Sequence, residues 1–186
     1  MDKYQTTLAL IIKKRVIKEL DIQVTILTPK LGKLTVRALG AANIKSSRLS
    51  SLQLGNIIKA HLYHKNDSYW LSEAQTIDSF LHHQKSLVQL NLLFYFLEIL
   101  NRLIADNQQI EGIFPISENI VKAINSNNFA DFIKHEIDFI NQLGYGLPPD
   151  ITASFKAKDY KTTQKLIKQF FESIIEKPLE SNKLFK

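Results

Sequence analysis

The residues of this chain best suited to chemistry are seven cations in its first 48 positions: Lys13, Lys14, Arg15, Lys33, Arg37, Lys45 and Arg48. Lys33 and Arg37 stand at alternate positions with Thr35, opposite Leu34, Val36 and Ala38, so a strand here would carry them on one face. Lys45 and Arg48 fall in the Ser-rich segment that follows. Cations spaced along a strand and its adjoining loop can track a phosphate backbone, each contact releasing condensed counterions. The alternative is an ordinary solvated face. Nucleic-acid binders of this kind also stack bases on aromatic rings, and the same region offers Tyr4, Tyr63, Tyr69 and Trp70, which serve a core or a rim equally well.

No other constellation carries chemistry. His61 and His64 are three apart on an expected strand and point to opposite faces. His82 and His83 are adjacent, and His135 stands alone, so no metal site is expected. With no Cys there is no thiol nucleophile, disulfide or Cys-based zinc site. Phosphate-loop, dinucleotide, HExxH and GxSxG motifs are absent, and Glu136 and Asp138 diverge on one helix, so neither a catalytic site nor a cofactor is expected. Glu98 is expected on a polar helix face with Asn91 and Arg102.

A chain of 186 residues with 45% hydrophobic content can bury a core of its own, which excludes a disordered chain. The charge is uneven. Residues 1–75 hold 12 basic and 5 acidic groups, residues 76–150 hold 4 and 9, and residues 151–186 hold 8 and 4, for a net +6. A basic first third points to a polyanion partner. The most apolar stretch, Leu87 to Ile104, is interrupted by Gln89, Asn91, Glu98, Asn101 and Arg102, which a bilayer span does not tolerate. Lys13-Lys14-Arg15 follows the first apolar run instead of preceding it, unlike a signal peptide. A cytoplasmic location is expected.

Periodicity assigns the elements that must position these groups. Thr6 to Ile12, Ile22 to Ile26, Lys33 to Leu39, Asn56 to Tyr63 and Tyr69 to Ile77 read as five strands, with turns at Thr28 to Gly32 and Asn66-Asp67. Five short strands suggest a closed barrel, because open edges invite aggregation. From Ser79 the pattern is helical: a central helix over Leu87 to Ile104, one capped by Ser117, one capped by Asn128 and ended by Gly144, and a last one from Asp159 to about Lys177. Pro148-Pro149 forbids continuation of the third. The fold expected is α+β: a barrel over residues 1–78 and an all-α domain over 79–186.

Tyr4-Gln5-Thr6-Thr7, Leu20-Asp21, Leu27-Thr28-Pro29 with Gly32, Ala38-Leu39-Gly40-Ala41 and Ser47-Arg48-Leu49 together resemble the N-terminal domain of the RecO family of bacterial recombination mediators. Phe132 through Leu143-Gly144-Tyr145 with Pro148, and Lys177-Pro178-Leu179-Glu180-Ser181, are similar to the family's helical part. The Cys-based zinc module that many members carry is missing. The resemblance implies an OB-fold followed by helices. It also implies binding of single- and double-stranded DNA, annealing of complementary strands, and loading of RecA on DNA coated by single-strand-binding protein (SSB). The implied partners are DNA, RecR and the acidic, apolar-ended SSB tail, and no enzymatic turnover is implied. Such a tail asks for an apolar pocket with a cation at its rim. The expected place is where the last helix meets the central one, with Leu93, Leu97 and Phe170 as walls and Arg102, Lys161, Lys165 and Lys168 as cations. Two other readings stay open: a protein-interaction adaptor without DNA binding, and an RNA-binding barrel.

Overall fold

The computed structural model describes residues 4–17, 19–80 and 85–183. His82 and His83 lie outside the described residues. Five strands come first: β1 (Tyr4–Val16), β2 (Ile22–Thr28), β3 (Gly32–Ala38), β4 (Ile57–Lys65) and β5 (Ser68–Asp78), with a one-turn helix α1 (Arg48–Ser51) between β3 and β4. They close in the order β1-β2-β3-β5-β4, every pairing antiparallel except β3 with β5. A closed five-stranded barrel with this crossover is an OB-fold.

β1 is long enough to close the barrel because it changes partner midway. Tyr4 to Leu10 pair with β4 and Leu10 to Val16 with β2. A bulge at Ile12 interrupts the second ladder, since Ile11 faces Ile26 while Lys13 faces Thr25. One extra residue reverses which side chains face inward. Before the bulge Ala9 and Ile11 point into the core; after it Lys14 and Val16 share the side of Val24 and Ile22. The barrel is filled by Ala, Val, Ile and Leu, among them Ile26, Leu34, Val36, Ile58 and Leu62, all at most 2% exposed. Asn56, itself buried, ties α1 to the barrel: its amide donates to Ser50 and Ser51 carbonyls and its Oδ1 accepts from Phe80 N–H.

Residues 104–114 belong to the same compact unit, although they follow the central helix in sequence. They run along β3, with Asn107 N–H donating to Lys33 O and Asp106 pairing with Lys33 in a parallel bridge. Gly32 permits this approach: its φ is +68°, and a Cβ there would lie 1.9 Å from the Gln108 carbonyl oxygen.

The second unit holds α2 (Leu87–Leu103), α3 (Ile113–Asn125), α4 (Phe129–Gln142), α5 (Pro149–Lys156), α6 (Tyr160–Ile175) and a closing 3-10 turn (Glu180–Lys183), with the start of α3 falling in the first unit. Phe96 of α2, Phe139 of α4 and Phe171 of α6 meet edge to face, at 5.6 and 6.3 Å between centroids, at its core. Asn128 and Asp159 cap α4 and α6, accepting Asp131 and Thr162 N–H at 3.2 and 3.1 Å. One helix expectation needs correction. Ser117 is no cap: α3 starts four residues earlier, because Pro115 fits a first turn, and Ser117 is fully buried inside the helix. α4 stops before Gly144 and does not run on through Pro148-Pro149; Pro149 instead opens a separate helix, α5, where its missing N–H costs no hydrogen bond. No described helix is long and apolar enough to cross a membrane.

Candidate nucleic-acid interface

Strand registers place one residue from each strand in a continuous outward row. Tyr4 on β1 faces Tyr63 on β4, Tyr63 faces Trp70 on β5, Trp70 faces Arg37 on β3, Arg37 faces Gln23 on β2, and Gln23 faces Arg15, back on β1. Directly paired residues project to the same side of a sheet. The row winds once around the barrel and returns further along β1, as the stagger of a closed barrel requires. Its first half is aromatic and its second half polar and cationic.

The aromatic half forms an open cleft of about 830 Å³ lined by Tyr4, Tyr63, Trp70, Arg37, Arg48, Leu39 and Lys65, with Asn66 and Ser68 of the hairpin turn. Tyr4 and Tyr63 lie 4.8 Å apart between centroids, tilted by 39°. The Arg37 guanidinium sits over Trp70, 5.6 Å from the ring centroid, a cation–π pair that presents a flat, charged surface. Asn66 and Asp67, both with positive φ, form the tight turn that carries Lys65 to the rim. Arg48 is pinned at the wall: its guanidinium donates to the carbonyls of Leu39 at 2.6 Å, Leu71 at 3.1 Å and Ser72 at 3.4 Å. No carboxylate pairs with Arg37, Arg48 or Lys65 among the described residues. The cleft can therefore offer ring faces to bases and two to three positive charges to phosphates.

The structure separates the seven cations expected from the sequence. Arg37 and Arg48 meet at the cleft. Arg15 closes the row, and Lys13 lies on the same outer side, opposite Thr25. Lys14 turns the other way because of the bulge, toward the Val24 side, where burial lowers its pKa. Lys45 is exposed in the loop after β3. Lys33 is the correction: it is 6% exposed and its ammonium pairs with Asp106 at 3.0 Å, because residues 104–114 cover that end of the strand face. It is not available to phosphate. Tyr69 packs against the barrel core and stays out of the cleft, with its ring against His64.

Lys65 and Leu39 were missed by reading single elements. The signal that finds them is longer: between Asp21 and Asp67 there is no acidic residue, against seven Lys and Arg. That stretch supplies β2, β3, β4 and the loops around the cleft.

In the helical unit, two of the residues expected to wall a tail pocket are closed off. Leu93 and Leu97 are 1% and 3% exposed, sealed in the core. Arg102 is spent on Glu98 at 2.7 Å and Glu180 at 3.6 Å. Phe170 is half-buried beside Phe171, and Lys161 and Lys165 are exposed on α6, with Lys168 half-buried. Burial pushes the Glu98 carboxyl up, but the Glu180 and Ser181 N–H groups, each 2.8 Å away, and Arg102 outweigh it, leaving its pKa lowered. An open apolar groove of about 120 Å³ lies elsewhere, lined by Val88 and Leu92 of α2, Ala123 and Ile124 of α3, and Phe129 and Phe132 of α4. Lys85 stands nearby, bonded to Asn125. No group of three or more His, Asp or Glu among the described residues could hold a metal ion.

The first 80 residues match the family model described as the N-terminal domain of recombination protein O. A DNA repair protein RecO of Clostridium kluyveri is 30% identical over 156 residues, 82% of this chain and 60% of that one. Proteins of the same name from Thermoanaerobacter sp. and Roseiflexus sp. are 22% and 26% identical over 142 and 146 residues, 75% and 77% of this chain, 57% and 51% of theirs. The chain thus spans between half and three fifths of the length of these relatives. Barrel, topology and sequence agree in a likeness to RecO proteins, whose N-terminal family model matches the first 80 residues, the likeness continuing into the helices.

Proposed function

We propose that this chain is a DNA-binding protein of recombinational repair that takes single strands across the outer row of its barrel. The observation that supports this best is the cleft itself: Tyr4, Tyr63 and Trp70 in register across three strands, with Arg37 on Trp70. Stacking on such rings is worth about 1–3 kcal/mol per base and is open only to unpaired bases. The cations of the row and its loops then follow the backbone. Relatives named as DNA repair proteins support the biological setting. Annealing of complementary strands and loading of RecA on SSB-coated DNA, both without enzymatic turnover, belong to the same reading, as do RecR and the SSB tail as partners and the cytoplasm as location. For an acidic, apolar-ended tail, the Val88–Phe129 groove beside Lys85 replaces the buried Leu93 and Leu97. The test is a titration of labelled single-stranded DNA, single-stranded RNA and duplex. The reading expects single-stranded DNA to bind and Trp70→Ala with Arg37→Ala to weaken it at least tenfold. Tighter binding of RNA would favour the RNA-binding barrel, and no nucleic-acid binding the adaptor.

A further inference from the structure

We infer that the loop between β3 and α1 is an apolar wedge, with Ile44 at its tip, that packs on the bases of a strand as it leaves the cleft; this rests on the single-strand reading above. The loop is built to hold a tip. Its two ends both belong to the cleft wall, Leu39 on one side and Arg48 on the other, and they are clamped together by the 2.6 Å bond from Arg48 Nη2 to Leu39 O. Within it, consecutive turns bond Asn43 N–H to Gly40 O, Ser46 N–H to Asn43 O and Lys45 N–H to Asn43 Oδ1. A second loop braces it: Gly40 N–H donates to Asp21 Oδ1 and Ala42 N–H to Leu20 O, each at 2.8 Å.

This bracing presents Ile44 at 92% exposure, with Leu39 at 52%, Leu20 at 48% and Val16 at 58% on the same two loops and the strand ends that lead into them. A single exposed aliphatic residue needs no explanation, but several on one braced end of a barrel mark a contact surface. The occupant is set by charge and continuity. Lys45 is Ile44's immediate neighbour, and no acidic residue occurs from Ile22 to Asn66; on the bracing loop Glu19 and Asp21 flank Leu20, Asp21 being engaged by Gly40 N–H, so the cationic side of the patch is the Ile44 loop, and Leu39 is shared between that loop and the cleft. A polyanion with apolar faces answers all three, and a nucleic-acid strand extending from the cleft is one. Aliphatic side chains are used as wedges against bases in this way when flanking cations hold the backbone.

The test uses the full chain with oligothymidylates of four and twelve nucleotides. The shorter is held by the cleft and the longer reaches past its rim. Ile44→Ser is expected to weaken binding of the 12-mer about fivefold, with the salt slope and the affinity for the 4-mer unchanged. In the double variant Ile44→Trp/Trp70→Phe, the chain's only Trp reports from the loop, and its fluorescence is expected to be quenched by the 12-mer and not by the 4-mer. If Ile44→Ser binds both oligomers like wild type and the loop reporter stays unquenched, the wedge is wrong while the cleft stands, and the patch passes to a protein partner. Equal weakening for both lengths also overturns it, since the loop would then act only by shaping the cleft. If wild type binds neither oligomer, the single-strand reading fails first.

Discussion

Glu136 is buried in the helical unit with the Tyr95 hydroxyl of α2 as its hydrogen-bonding neighbour, at a geometry too poor to satisfy either group. Burial pushes the Glu136 pKa from its ordinary 4.5 up to about 8, outweighing the Tyr95 hydroxyl, which pulls in the opposite sense. The folded state therefore holds this proton between those two values while the unfolded chain releases it. With one more proton bound in the folded state, unfolding free energy falls as pH rises, by about 1.4 kcal/mol per unit. The contribution is intact below the unfolded value and is progressively lost up to the folded one. At pH 7 the accumulated loss is about 3 kcal/mol. Glu136→Gln keeps the volume and a neutral polar head but has no proton to lose. Urea unfolding followed by helical circular dichroism at pH 5, 6, 7 and 8 is the assay. The two proteins should be within about 1 kcal/mol of each other near pH 5, and the variant should be more stable by about 3 kcal/mol at pH 7 and about 4 kcal/mol at pH 8. Parallel pH profiles would refute the reasoning, because they would mean that Glu136 is solvated or paired in the folded protein.

Three further outcomes follow from the geometry. Gly32→Ala should cost at least about 2 kcal/mol in barrel stability, since its Cβ would collide with the Gln108 carbonyl; a melting temperature equal to wild type would show that residues 104–114 do not press on β3. Lys33→Met should leave DNA affinity and its salt slope unchanged, whereas Arg37→Met should flatten the slope by about 0.7; a flattened slope for Lys33→Met would return that lysine to the interface. Phe129→Ser should weaken binding of an acidic, Phe-ended peptide to the chain, while charge reversal at Lys165 and Lys168 should not, as read by fluorescence anisotropy; the reverse pattern would move the tail site to α6.

The barrel was legible because its strands alternate and its turns carry their own chemistry: Pro29 and Gly32, then Asn66-Asp67. The caps at Asn128 and Asp159 were legible for the same reason, each being a side chain that serves its own helix. What alternation could not convey is register across strands. Tyr4, Tyr63, Trp70 and Arg37 come from four different strands and become neighbours only through pairings across the barrel. Alternation alone separates Lys14 from Lys13 and Arg15, but the bulge at Ile12 decides that Lys14 faces the Val24 side and the other two face out, a choice that no local pattern announces. Lys33 looked exposed by alternation and is covered by a segment some 70 residues later in sequence. Leu93 and Leu97 looked like pocket walls, but an apolar residue on a central helix is more often sealed than open, and only the packing of α4 and α6 decides which.

The central claim is that unpaired bases stack in the cleft around Trp70. Because Trp70 is the only Trp in the chain, its fluorescence during titration with a twelve-nucleotide oligothymidylate at several salt concentrations tests this directly. The account predicts saturable quenching, with affinity falling as salt rises by about 0.7 log units per log unit for each phosphate neutralised, and loss of quenching at matched concentrations when Tyr63→Ala and Arg37→Ala are combined. Unchanged Trp70 emission under conditions where labelled DNA is bound would contradict it and place the nucleic acid elsewhere on the molecule.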